Sequence, residues 1–227
     1  FQSVMNKILG PILHRNLEVY LDDNLVHART MEELVDTLRS VFSLLRLHGL
    51  KLNKSKSRFG VPEIEFLGHI VNSDGLQVSQ ERIESLLSLK PPVTVKELRS
   101  FLGATNYVRD FLQGYSVVAK PLYDMLGSSK TRGSRPLPPW TEETLTAFNN
   151  VRDLIAKAST LYFLDNNLPI ILECDASDKG IGAVLFQDSQ QVADSTAALP
   201  RKHVIAYVSK AFKGSSTRWS TSEKEAF

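Results

Sequence analysis

The chain has 227 residues, 42% of them apolar and 23% charged, with a formal net charge of +2. That balance excludes a disordered or fibrous chain, and the length can supply one core or two or three small ones. A lone cysteine, Cys174, excludes an internal disulfide framework and a cysteine-rich zinc site, while no stretch nears the roughly 20 apolar residues of a membrane span and the N-terminus shows no signal pattern.

Phe1, Val4, Met5, Ile8 and Leu9 of "FQSVMNKILG" form one helical stripe, which Gly10-Pro11 ends. Leu17, Val19 and Leu21 then alternate with Glu18 and Tyr20 as in a strand, and Leu25 and Val26 begin a return strand. Asp22, Asp23 and Asn24 stand between them. They suit a plain turn, or a hairpin tip whose charges hold a metal. Strand side chains alternate faces, so adjacent acids stay together only where the ladder ends. Asp22 and Asp23 sit where it should end, and paired carboxylates suit Mg²⁺ that also holds substrate phosphates.

The spacing predicts a helix over residues 30–49, with Thr30 and Glu33 as a capping box, Leu34, Leu38, Val41 and Leu45 on one face, and Gly49 as the stop. From Val35 to Gly60 the bases Arg39, Arg46, Lys51, Lys54, Lys56 and Arg58 face one acid, Asp36. Such a strip can track phosphates or simply be a solvated face. Residues 63–78 read as two short strands about an Asp74-Gly75 turn. Three helical pieces follow, over residues 79–89, 94–112 (capped by Thr94 and Glu97) and 117–126. The stretch 127–140, rich in Gly, Ser and Pro, reads as a linker.

A helix over residues 141–159, with Thr141 and Thr144 as alternative caps, leads into "PIILECDASDKGIGAVLFQ", a strand, a glycine-containing turn and a strand. Ile171, Glu173 and Asp175 share one strand face, which puts Asp175 at the strand end, beside a turn that Gly180 and Gly182 open to close approach. Asp175, Ser177 and Asp178 also suit ordinary turn chemistry. A polar loop over 188–202, a strand over 203–212 and the start of a helix at "STSEKEAF" complete the chain. Glu225 lies in the first turn of that helix, where Ser220–Glu223 and Ser222–Glu225 both fit capping boxes. Neither end reads as a natural boundary, so a longer parent protein is expected.

"FQSVMNKILG", "VYLDDNLV", "LRLHGLKLNKSK", "EFLGHIVNSDGL", "TVKELRSFLGATNYVRDF", "PLYDML", "WTEE", "LECDASDKGIGAVL", "IAYVSKAF" and "STSEKEAF" occur in this order. In order and spacing they resemble the reverse transcriptase–ribonuclease H region of gypsy-like LTR retrotransposon Pol polyproteins. The resemblance covers essentially the whole chain and implies a fold of α+β and α/β parts. Residues 1–76 would be the C-terminal part of a right-hand polymerase palm and 77–126 a thumb-like helical subdomain. Residues 127–140 would be a linker, and 141–227 the N-terminal part of a ribonuclease H-like domain with its leading helix.

The resemblance implies RNA-directed DNA synthesis together with degradation of the RNA strand of the hybrid. Asp22 and Asp23 would hold divalent ions at the polymerase site, Tyr20 would lie near the primer end, and Lys56 would protonate the leaving pyrophosphate. Phe66, Leu67, Gly68 and His69 would grip the primer backbone. Asp175 and Glu225 would be the first two carboxylates of the ribonuclease site. The implied cofactor is Mg²⁺, two ions per site, with Mn²⁺ as the alternative. The implied partners are an RNA template, a DNA primer, the RNA/DNA hybrid and deoxynucleoside triphosphates. Protease and integrase would share the polyprotein, no membrane is involved, and the setting would be intracellular, in cytoplasmic particles.

The resemblance also calls for a third carboxylate upstream of Phe1 and another aspartate beyond Phe227, so the stretch alone is expected to be inactive. Asn24 stands where the family is usually apolar and is expected to loosen the return strand. Trp219 replaces a common tyrosine, and the 188–202 loop is longer than usual. Some retroviral relatives link thumb to nuclease through a degenerate ribonuclease H fold; Asp175 and Glu225 argue for the active kind here. The alternative is a decayed or host-adopted relic that binds nucleic acid without catalysis.

Overall fold

In the computed structural model, residues 1–127, 136–188 and 202–225 are described. The chain divides into two units, Phe1–Leu67 and Gly68–Phe227. The first is built around an apolar stripe. Helix α1 (Gln2–Leu9) and helix α2 (Met31–Leu47) enclose Met5, Leu9, Val41 and Leu45, and the hairpin of β1 (Leu17–Tyr20) and β2 (Asp23–Val26) adds Leu17. In this antiparallel hairpin Leu17 pairs with Val26 and Tyr20 with Asp23. The Thr30 hydroxyl accepts the Glu33 N–H and caps α2. The Glu33 carboxylate accepts from the backbone N–H of Arg29, one residue before the cap, and this bond holds its pKa below the ordinary value. Strand β3 (Ile64–Phe66) closes the unit.

The second unit begins with an antiparallel sheet of β4 (His69–Val71), β5 (Gly75–Val78) and β6 (Leu161–Tyr162). The 63–78 stretch thus holds three strands where two were expected, and β6 escapes sequence reading because two residues carry no period. Its seat requires Gly75: a Cβ there would lie 2.0 Å from the Leu161 carbonyl oxygen. Helices α3 (Gln80–Leu87), α4 (Val95–Tyr107), α5 (Tyr115–Val118), α6 (Lys120–Leu126) and α7 (Glu142–Ala156) surround one core that includes Leu98, Phe101, Leu122, Phe148 and Val151. The single helical piece expected over 117–126 is interrupted at Ala119, just before Pro121, which supplies no N–H.

Of the expected linker, residues 128–135 lie outside the described residues. The described part is pinned: Leu137 N–H donates to the Val93 carbonyl and the Trp140 indole to that of Pro92, at 3.1 and 3.0 Å. A three-stranded antiparallel sheet follows, in the order β7 (Ile171–Ala176), β8 (Gly180–Asp188) and β9 (Lys202–Ala211). The last described element is α8 (Thr221–Glu225). Most of the 188–202 loop, residues 189–201, lies outside the described residues, as do Ala226 and Phe227.

Candidate functional site

The first candidate site is the tip of the β1–β2 hairpin. Only Leu21 and Asp22 form the turn; Asp23 already pairs with Tyr20. Tight two-residue hairpins need a positive φ at the first turn position, and Leu21 supplies one of 52°, uncommon for a side chain without special tolerance. Gln2 holds it there. Its side-chain oxygen accepts the Leu21 N–H, and its amide nitrogen donates to the Val19 carbonyl at 3.1 Å and to Asn6 at 2.7 Å. Asn24 is the residue expected to loosen the return strand, and its side-chain oxygen is buried without a hydrogen-bond partner among the described residues. It stays in register opposite Val19, and its side chain donates to the Asp22 carbonyl at 3.3 Å. Tyr20, Asp22 and Asp23 are all exposed, so the carboxylate oxygens are open to ligands.

Lys56 is exposed on a turn nucleated by Asn53, whose side-chain oxygen accepts from Ser55. No hydrogen bond or ion pair among the described residues joins Lys56 to the Asp22–Asp23 tip. Phe66 and Leu67 end the first unit and are half-buried; Gly68 and His69 open the second. Leu67 and Gly68 both have positive φ, 52° and 73°. Within the second unit, the His69 ring stacks on Phe111 and tilts against Tyr107, both at 5.2 Å. The Arg82 guanidinium lies over the other partner, Tyr107, at 4.7 Å.

The second candidate site lies at the end of β7. Asp175 pairs with Gly182 in the ladder and is exposed. It lines a cleft of about 570 Å³ together with Gln113, Gly114 and Val117. The two glycines there differ. A Cβ at Gly180 would meet the Lys210 carbonyl at 2.6 Å and a Val117 methyl at 2.7 Å, so its close approach is to the chain itself; at Gly182 nothing lies within 4 Å. Helix α8 packs against β7 and β8. The Glu223 carboxylate accepts from the Ser220 N–H at 2.7 Å and hydroxyl at 2.9 Å, which lowers its pKa. Glu223 is therefore engaged as a cap, whereas Glu225 is exposed. The Lys224 ammonium lies 2.9 Å from Asp178, in the turn that follows β7.

Exposed hard-oxygen donors beside open space fit divalent cations. Among the described residues no three metal-ligating side chains gather; the first site offers the adjacent Asp22 and Asp23, and at the second Asp175 and Glu225 are each exposed. Nor is any helix among them long and apolar enough to cross a membrane.

Comparison with known proteins agrees with this layout. Residues 1–71 match the family described as reverse transcriptase (RNA-dependent DNA polymerase), and residues 140–227 the RNase H-like domain found in reverse transcriptase. The retrovirus-related Pol polyprotein from transposon opus of Drosophila melanogaster is 34% identical over 99% of the chain and 22% of its own length. The chain is a homologue of retrotransposon Pol polyproteins. The Tf2-3 polyprotein of Schizosaccharomyces pombe is 31% identical over 99% of the chain and 16% of its own length. The chain thus spans about a fifth or less of these relatives. Two foamy viral protease-reverse transcriptase structures are 25% identical over 99% of the chain. One, the dRH form with double-stranded DNA, has a TM-score of 0.79 over 37% of its chain, and the other, with RNA/DNA hybrid, 0.77 over 28%. The fold is that of a polymerase segment followed by an RNase H-like segment, mixed α and β as expected.

Proposed function

We propose that the parent polypeptide copies an RNA template into DNA and degrades the RNA strand of the hybrid, at two separate carboxylate sites. Residues 1–76 act as the end of the palm, 77–126 as a thumb, 127–140 as a linker and 141–227 as the start of the ribonuclease domain. The observation that carries this reading is the pairing of an exposed Asp22–Asp23 hairpin tip, clamped by Gln2, with an Asp175 that lines an open cleft.

Asp22 and Asp23 orient the primer 3′-hydroxyl and the incoming deoxynucleoside triphosphate, Tyr20 lies beside the primer end, and Lys56 gives a proton to the leaving pyrophosphate. Phe66, Leu67, Gly68 and His69 hold the primer backbone; the aromatic stack under His69 supports that role. Asp175 and Glu225 orient water against an RNA phosphodiester, and the engagement of Glu223 with Ser220 favours Glu225 as the second ligand. Mg²⁺, or Mn²⁺ in its place, would be held by these carboxylates and would supply charge neutralisation and activation of the attacking oxygen. With no cluster of three metal-ligating side chains among the described residues, residues 1–227 alone are inactive on this reading. Protease and integrase accompany it in the polyprotein. The single cysteine fits an intracellular setting, in cytoplasmic particles.

In the parent enzyme, Asp22→Asn is expected to lower primer extension by about two to three orders of magnitude, with hybrid binding retained. Extension at the wild-type rate would contradict the assignment and favour the competing reading, a non-catalytic nucleic-acid-binding relic.

A further inference from the structure

Lys224 is the one charged residue among those buried in the described chain, at 7% exposure. A buried ammonium is costly unless it is paired. Its partner is Asp178, at 2.9 Å, whose own side chain is 95% exposed. The pair therefore costs Lys224 its hydration and gains little from burial of Asp178, a poor bargain if stability were its only use.

Its placement gives it another use. Asp178 belongs to the β7–β8 turn, which is itself fixed: Ser177 N–H and hydroxyl both donate to the Gly180 carbonyl, at 2.9 and 3.1 Å, and Lys179 N–H donates to the Ser177 hydroxyl at 3.2 Å. This turn begins directly after Ala176, next to Asp175. Lys224 immediately precedes Glu225 in α8, which also packs against β7 and β8.

We propose that the Lys224–Asp178 pair is a latch that pins α8 to the β7–β8 turn and so sets Glu225 beside Asp175. Both are positioning residues. This rests on the reading of Asp175 and Glu225 as cation ligands.

The test uses the parent enzyme with Asp178→Asn, Lys224→Met, the double variant and Asp178→Glu. Two quantities are read: hydrogen exchange in residues 221–225, and the Mg²⁺ concentration that half-saturates RNA cleavage in a hybrid. For either single variant, exchange in 221–225 is expected to rise about tenfold while β7 and β8 keep wild-type protection. Half-saturating Mg²⁺ is expected to rise about tenfold with the plateau cleavage rate largely kept. Asp178→Glu restores both, and the double variant is no worse than the worse single. Exchange and Mg²⁺ dependence both unchanged in the single variants would overturn the latch, as would a uniform rise in exchange throughout the second unit. Wild-type cleavage by Asp175→Asn would instead sink the cation-site reading, and the exchange data would still decide whether the latch exists.

Discussion

Gln2 sits on an apolar-striped helix, and nothing in the periodicity of α1 marks it. Its importance appears only when the hairpin folds back and presents the Leu21 N–H and the Val19 carbonyl to one amide. The paired acids alone suit a plain turn as well as a metal-holding tip, and the order of neighbouring segments is what singles them out; the clamp that holds them was not legible, because it joins residues 19 positions apart. Gln2→Ala removes both contacts and lets a turn with a positive φ relax. Primer extension by the parent enzyme should fall by about ten- to a hundredfold, since small displacements of reacting groups are that costly; an unchanged rate would show that the turn holds itself. At the second site, Gly180→Ala should destabilise the chain by about 1–3 kcal/mol, as overpacked cores do, because its Cβ meets a carbonyl and a methyl below 3 Å. Gly182→Ala meets open space and should leave the thermal midpoint near wild type. Equal effects of the two would contradict the packing described.

Capping explains which elements were readable. Thr30 and Thr94 each cap the helix expected of them, and of the two candidate caps Thr141 and Thr144 it is Thr141 that caps α7, since a hydroxyl next to an apolar stripe is a local signal. Both Glu33 and Glu97 bond one residue further back than a capping box would place them, to Arg29 and Val93. The Val93 bond holds the Glu97 pKa below its ordinary value of 4.5. The ionised form is thus favoured by folding: its stabilisation is complete above pH 4.5 and is lost as pH falls through the lowered folded value. Urea midpoints of wild type and Glu97→Gln should differ at neutral pH and converge in acid. A constant offset across the range would rule out this bond as the cause. Strand β6 and the burial of Lys224 follow the opposite rule. Leu161 pairs with Leu76, 85 positions away in sequence, and "SEKE" reads as solvated until a partner carboxylate is brought to it.

For the chain as a whole, ten ordered segments carried more information than any single motif, because a hairpin with two acids recurs by chance but its sequence of neighbours does not. The fold class followed from them. What they left open was how far cores extend. Helix α7, expected to lead the ribonuclease segment, packs Phe148, Val151 and Ile155 into one core with Leu98, Phe101 and Leu122 of the preceding helices. Local periodicity shows that a helix has an apolar face and is silent on which neighbour covers it. The central claim is that the two carboxylate sites perform separate chemistries. Its most direct test is Asp175→Asn in the parent enzyme, with RNA-strand cleavage and primer extension followed on the same hybrid. Cleavage should fall by about two to three orders of magnitude while extension stays at the wild-type rate; retained cleavage, or loss of both activities together, would contradict it.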